Sequence, residues 1–183
     1  MRRFFLIFVA VFCLNGEVLD EANLFSTEVK NKILQISNEL ENKTSVKLNL
    51  ASMATLKDPN LAGITLVFEP KNAEKKSGRV QIYADEANLK LFDKDAVLSP
   101  FPHKGTIIPI LVSPKGVDIY NAAALNGIAD IAEQVAKTKG VKLESSIGNA
   151  NKATLNLMRF GIYGFLAGVV LVFLTKRIYR KKQ

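Results

Sequence analysis

Ser26-Thr-Glu-Val-Lys-Asn-Lys-Ile-Leu-Gln-Ile-Ser-Asn-Glu-Leu-Glu-Asn-Lys-Thr-Ser-Val-Lys-Leu-Asn-Leu50 changes its periodicity once, and that change decides the fold class. Val29, Ile33, Ile36 and Leu40 recur at spacings of four, three and four, the stripe of one helix face. Ser26 is placed to cap that helix, with Thr27 and Glu28 in its electropositive first turn, and the pattern runs to about Asn42. From Val46 the chain alternates apolar and polar residues, which predicts a half-buried strand reaching Met53.

The same switch recurs downstream. Ile64-Thr-Leu-Val-Phe68 predicts a second strand, Glu69 to Gly78 a solvated connection, and Arg79-Val-Gln-Ile-Tyr83 a third strand antiparallel to the second. Asp85 to Asp93 reads as a short helix and Pro100-Phe-Pro-His103 as an extended turn. Thr106 to Val112 is apolar but holds Pro109, which cannot donate to a ladder, so it reads as a helical turn or irregular packed segment. Asp118 is placed to cap a long helix to about Lys137 that buries Tyr120, Ala124, Ile128, Ile131 and Val135, with Ala122, Ala123 and Gly127 allowing close packing. Val141 to Leu143 reads as an edge strand. The expected class is α/β: a small mixed sheet sandwiched by helices.

Charge is divided unevenly. Residues 17–158 hold 17 Lys and Arg against 17 Asp and Glu, so the net charge of +8 comes entirely from Arg2, Arg3, Arg159, Lys176, Arg177, Arg180, Lys181 and Lys182. All eight flank apolar runs. A nucleic-acid reader needs its cations clustered on a folded face. The neutral middle excludes that class.

Phe4 to Leu14, behind two arginines, has the length of a signal-peptide core, with residues 1–16 as the expected leader. Cys13 follows Phe12, where acylation would want a small residue, so it reads as an ordinary apolar member of that leader. Leu157 to Thr175 is long enough to span a bilayer if Arg159 snorkels, and the basic residues after it place the 176–183 tail in the cytoplasm. The organisation expected is a leader, an extracytoplasmic domain over 17–143, a stalk over 144–156 and one transmembrane helix over 157–175. In a bacterium that is a single-pass inner-membrane protein with a periplasmic domain.

The domain between these segments has no cysteine, one histidine (His103) and one arginine (Arg79). Thiol nucleophiles, thiolate metal sites and histidine-rich zinc sites are excluded. The glycines are dispersed, so no phosphate loop is present. Any chemistry falls to carboxylates and lysines. Asp93-Lys-Asp95 sets two carboxylates two residues apart, after Asp85 and Glu86, and could supply part of an oxygen site for calcium or another divalent cation. Acidic residues of a solvated loop read the same way. His103 has no partner named by the sequence. Phe101 is either an exposed contact or a buried anchor for its turn. Gly164-Phe-Leu-Ala-Gly168 places two small residues one turn apart in the apolar run, a pattern for self-association or for docking on an integral membrane partner.

Val18-Leu-Asp-Glu-Ala-Asn-Leu-Phe-Ser26, the helix after it and Thr44-Ser-Val-Lys-Leu-Asn-Leu50 together resemble the opening of TPM domains. Gly63-Ile-Thr-Leu-Val-Phe68, Arg79-Val-Gln-Ile-Tyr83 and Tyr120-Asn-Ala-Ala-Ala-Leu-Asn-Gly127 are similar to that family's later strands and helix. The chain departs from it between Met53 and Gly63, where many members carry a longer tryptophan-bearing insert, and has no Trp at all. The resemblance implies a small α/β/α domain outside the cytoplasm, often tethered by a membrane helix. Some members are acid phosphatases or bind calcium; others assist the assembly or repair of membrane complexes. Asp20 lies at the family's opening Asp, which makes Asp20, Asp93 and Asp95 the candidate metal residues of a phosphatase reading. A turn or cap role before Ser26 is open to Asp20 as well. The expected function is a non-enzymatic assembly or maintenance factor, with a metal-dependent hydrolase of small phosphate esters as the alternative.

Overall fold

The computed structural model describes residues 16–71, 78–102, 104–113 and 118–145. The chain divides into two compact units, Met1–Ser145 and Ser146–Gln183, and the described residues all belong to the first. His103, the leader, the stalk beyond 145, the 157–175 run with Gly164 and Gly168, and the basic tail lie outside the described residues. Among those described, no helix is long and apolar enough to cross a membrane.

Four strands form one mixed sheet in the order β1-β2-β3-β4: β1 (Val18–Asp20), β2 (Leu48–Ser52), β3 (Ile64–Glu69) and β4 (Arg79–Tyr83). β1, β2 and β3 run parallel, and β4 returns antiparallel to β3, as its pattern predicts. A parallel step needs a crossover. Helix α1 (Thr27–Thr44) supplies the first, capped by Ser26 Oγ, which accepts from Val29 N at 3.3 Å. The second, over residues 53–63, is made without a helix. Three short helices follow, α2 (Glu86–Leu89), α3 (Lys94–Val97) and α4 (Ile108–Leu111), then the long α5 (Ile119–Thr138). Pro109 sits in the first turn of α4, where its missing N–H costs nothing.

The two sheet faces are buried differently. Leu48, Leu50, Ile64, Leu66, Phe68 and Ile82 alternate onto one face and pack with Ile33, Ile36 and Leu40 of α1 and Ala124, Ile128, Ile131 and Val135 of α5. Val97 and the residues next to the other short helices join this same cluster. Gly127 lets α5 approach: a Cβ there would stand 2.6 Å from Ile107 Cδ1 and 3.0 Å from Leu66 Cδ2. The opposite face buries Ala51, Met53 and Val67 beneath Leu56 of the 53–63 crossover, and no helix contributes to that cluster among the described residues.

Several expectations need correction. β2 is buried on both faces rather than one, because Leu48 and Leu50 pack under α1 and α5 while the opposite face lies beneath Leu56 and Ala62 of the 53–63 crossover; its Asn49 survives there by donating to Ala62 O (2.9 Å) and Thr65 Oγ1 (3.3 Å) and accepting from Glu17 N (2.9 Å). The helix expected over 85–93 is only one turn long, and Asp93 begins the next helix instead. Asp118 precedes α5 without capping it, because its Oδ1 accepts from the Asn121 side-chain amide rather than from a backbone N–H, and Ala122 is exposed, leaving the close packing to Ala123 and Gly127. Val141–Leu143 forms no strand. Gly140 takes φ +70° past the end of α5, and Val141 N donates back to Ala136 O at 2.9 Å. That left-handed cap turns Val141 and Leu143 onto the core instead of into a ladder.

Candidate functional site

In open α/β sheets, ligands gather at the carboxyl ends of parallel strands. Here those ends carry Asp20, Ser52 and Glu69, one from each of β1, β2 and β3. Asp20 pairs in register with Ser52, and Glu69 with Arg79 of β4. The N-termini of α1 and α5 close over the same end, where Ser26 N donates to Asn121 Oδ1 at 3.0 Å.

Asp20 is bound on all sides. Its Oδ1 accepts from Leu24 N (2.8 Å) and Ser52 Oγ (2.5 Å), its Oδ2 from Phe25 N (3.2 Å), and Lys30 Nζ pairs with Oδ2 at 2.6 Å. Only 5% of the side chain is exposed. Burial works to raise its pKa, but Lys30, Ser52 and the two backbone donors outweigh it and hold the carboxyl below its ordinary 3.8. Ser52 Oγ also accepts from Ala22 N at 3.1 Å, which ties the turn after β1 to β2.

Glu69 lies at the end of the solvated connection expected from sequence, yet its side chain is 0% exposed. Arg79 answers it through Nε (3.0 Å) and Nη2 (2.6 Å), and Leu56 N donates to the same oxygen at 3.1 Å. Arg79 leaves 54% of its side chain in solvent. Tyr120 completes the edge, stacking edge-on against Phe68 and accepting from Lys71 N at 2.9 Å. The chemistry on offer is an ordered rim whose carboxylates are engaged internally and whose outward charge is the Arg79 guanidinium.

Asp93 and Asp95 lie elsewhere. Asp93 caps α3 by accepting from Ala96 N at 2.9 Å, and Asp95 follows in the first turn. Asp85 caps α2 in the same way through Asn88 N at 2.7 Å. Asp93 N donates to Gln134 Oε1, near the far end of α5, while the loop after Asp20 is fixed to Asn121 at its start. Thirteen helical residues separate these anchors, about 20 Å along the axis. The structure therefore does not bring Asp20 together with Asp93 and Asp95. Among the described residues, no group of three or more His, Cys, Asp or Glu is placed to hold a metal ion.

Sequence reasoning missed Lys30, Ser52 and Glu69. Glu69 and Arg79 were legible in principle, since opposite charges bracketing a hairpin connection are a cross-strand pair. It missed Glu39 too, at the opposite end of the domain. Glu39 Oε1 accepts from Lys43 Nζ (2.7 Å) and Glu144 N (2.7 Å), and Oε2 accepts from Ser145 N (2.8 Å) and from Ser145 Oγ. One carboxylate thus fastens the last described residues to α1.

Neither a family model nor a curated protein matches this chain.

Proposed function

We propose that the chain is a membrane-tethered, exported TPM-like module, departing from that family's α/β/α form in having helices on one sheet face alone among the described residues, which helps assemble or maintain a membrane protein complex through non-covalent contacts. The observation that carries the interaction reading is the segment from Phe101 to Val112. Phe101 is 60% and Val112 67% exposed, and in α4 between them Ile110 and Leu111 pack on the core while Ile108 is half-buried and outside that cluster. Ile108 and Val112 are one turn apart and share a side. Phe101 and Val112 are the two most exposed large apolar residues described, with Leu19 at 37% the third, and we read their segment as the contact surface. The sequence supports the tether: a neutral domain, an apolar run over 157–175 and a basic tail behind it.

The test is a photo-crosslinking residue at position 112 of the full chain in native membranes. The reading expects one discrete adduct, either with an integral membrane protein or with a second copy, that disappears in a Gly164→Ile/Gly168→Ile variant or in Val112→Lys. A full chain that yields no adduct in its own membrane sinks it. Metal-dependent turnover of a small phosphate ester, lost in Asp93→Asn/Asp95→Asn, would put the hydrolase in its place.

A further inference from the structure

We infer that the leader is cut between Cys13 and Leu14, and that the new α-ammonium of Leu14 is seated on α1 by Ser37, Asn38 and Glu41; this rests on the exported reading above. The step is hydrolysis of one amide by water in a signal peptidase. The C–N bond breaks, the leader leaves with a carboxylate on Cys13, and Leu14 keeps its nitrogen as an ammonium.

Helix α1 presents a set of unanswered acceptors. Ser37 Oγ, Asn38 Oδ1 and Glu41 Oε2 are all buried with no hydrogen-bond partner. Ser37 as a whole is only 1% exposed. Glu41 follows Asn38 by three residues and Ser37 by four, so the three side chains are neighbours on the helix surface. A buried acceptor without a donor is costly, and a charged one more so. The lysines of α1 are engaged elsewhere: Lys30 pairs with Asp20 at 2.6 Å, Lys43 with Glu39 at 2.7 Å, and Lys32 donates to Gln35 Oε1 at 3.1 Å. Among the described residues, no ion pair engages Glu41.

The chain's own start leads to this set. Gly16 is buried against it: a Cβ there would stand 2.7 Å from both Leu48 O and Ser37 Cβ, and 3.4 Å from Ser37 Oγ. Strand β1 runs opposite to α1, because α1 carries the chain from the end of β1 back to the start of the parallel β2. Asp20 accordingly meets Lys30 while Gly16 meets Ser37. Tracing the chain backward from Gly16 therefore moves along α1 toward Glu41. Ser37 and Glu41 are about 6 Å apart along the helix axis. Asn15 and Leu14 together reach about 7 Å. The nitrogen of Leu14 thus falls level with Glu41.

A terminus suits the three acceptors better than a continuing peptide. An ammonium brings three donors and a positive charge to one point, whereas an extended chain offers one N–H per residue on alternating sides. A cut after Gly16 would discard the residue that packs between α1 and β2, and Glu17 N is already bonded to Asn49 Oδ1 at 2.9 Å. The leader pattern permits the earlier cut. Val11-Phe-Cys13 sets a small residue just before the bond, as Leu14-Asn-Gly16 does, with the smaller Val11 in place of Leu14 two residues further back.

The experiment takes the full chain, expressed with its own leader, from membranes and determines its first residue by intact mass and N-terminal sequencing. The expected start is Leu14. A start at Glu17, at an acylated Cys13 or at any other cut site overturns the inference and leaves export standing. An uncut chain whose domain is open to external protease does the same. An uncut chain whose domain is protected until the cells are lysed overturns both. The seat is read separately, from acylation of the α-amine at neutral pH followed by mass spectrometry. Glu41→Gln should speed that acylation several-fold, with the exposed Lys57 and Lys71 as internal standards. Equal rates in the two chains overturn the seat even where the chain starts at Leu14.

Discussion

At the two ends of α5 a carboxylate does the same kind of bonding for different purposes. Asp20, near the helix start, takes two backbone amides, a hydroxyl and a lysine, and joins β1, β2 and α1. Glu39, near the helix end, takes two amides, a hydroxyl and a lysine as well, but joins α1 only to the exit segment. The difference is in what lies behind the bonds. Behind Asp20 is the sheet; behind Glu39 is a segment whose Leu143 alone reaches the core among residues 142–145. Equal local chemistry should therefore have unequal global consequence.

Asp20→Ala is the largest way to test that contrast. It strands Lys30 and removes the acceptor for Leu24 N, Phe25 N and Ser52 Oγ, at a cost of about 2–4 kcal/mol. The denaturant midpoint should drop with little change in slope. A loss no larger than that of Glu39→Ala would show that the two clusters are equivalent. Arg79→Ala comes next. It leaves Glu69 buried with only its other donors, including Leu56 N, and should cost about 1–3 kcal/mol. Arg79→Lys should recover only part of this, since an ammonium cannot reproduce the contacts made through Nε and Nη2. Full recovery would reduce the pair to simple charge.

How much of this could be read from the residues differs along the same line. The α1 stripe, β3, β4 and α5 announced themselves because long periodic segments carry their own signal. β1 did not: three residues are too few to show alternation, and its last one, Asp20, resembles a turn former. Glu69 reads as part of a solvated loop because charge at the end of an apolar run usually means solvent. Only the register opposite Arg79 makes its burial tolerable. Val141 and Leu143 have strand-like composition, but the decision belonged to Gly140 and its left-handed turn. The candidate site suffered most, since Asp20, Asp93 and Asp95 are spaced by a fold whose distances no local pattern contains.

Asp93→Ala is a smaller perturbation. It removes the cap of α3, worth about 1 kcal/mol, and opens a cleft beside Lys90 and Lys137 without touching the carboxyl edge of the sheet. A much larger loss of stability would mean that the 90–93 loop supports the core as Asp20 does.

The smallest global effect should come from Glu39, and it is the one that pH can isolate. Burial pushes its carboxyl up, but Lys43, Ser145 and the amides of Glu144 and Ser145 prevail and hold it at about 2 against an ordinary 4.5. The folded value is the depressed one, so whatever the clasp contributes is complete above pH 4.5 and is lost as pH falls toward 2. Glu39→Ala should lower global stability less than Asp20→Ala, because the bonds it breaks hold only the exit segment. Its effect is local: faster hydrogen exchange at Glu144 and Ser145 while the sheet amides stay protected. The Ser145 amide resonance of the full chain should titrate near the low value, because its N–H reports directly on the carboxylate that accepts from it. A midpoint near 4.5 would mean that the clasp is open in solution, and that the chain leaves the domain at the end of α5 rather than at Ser145.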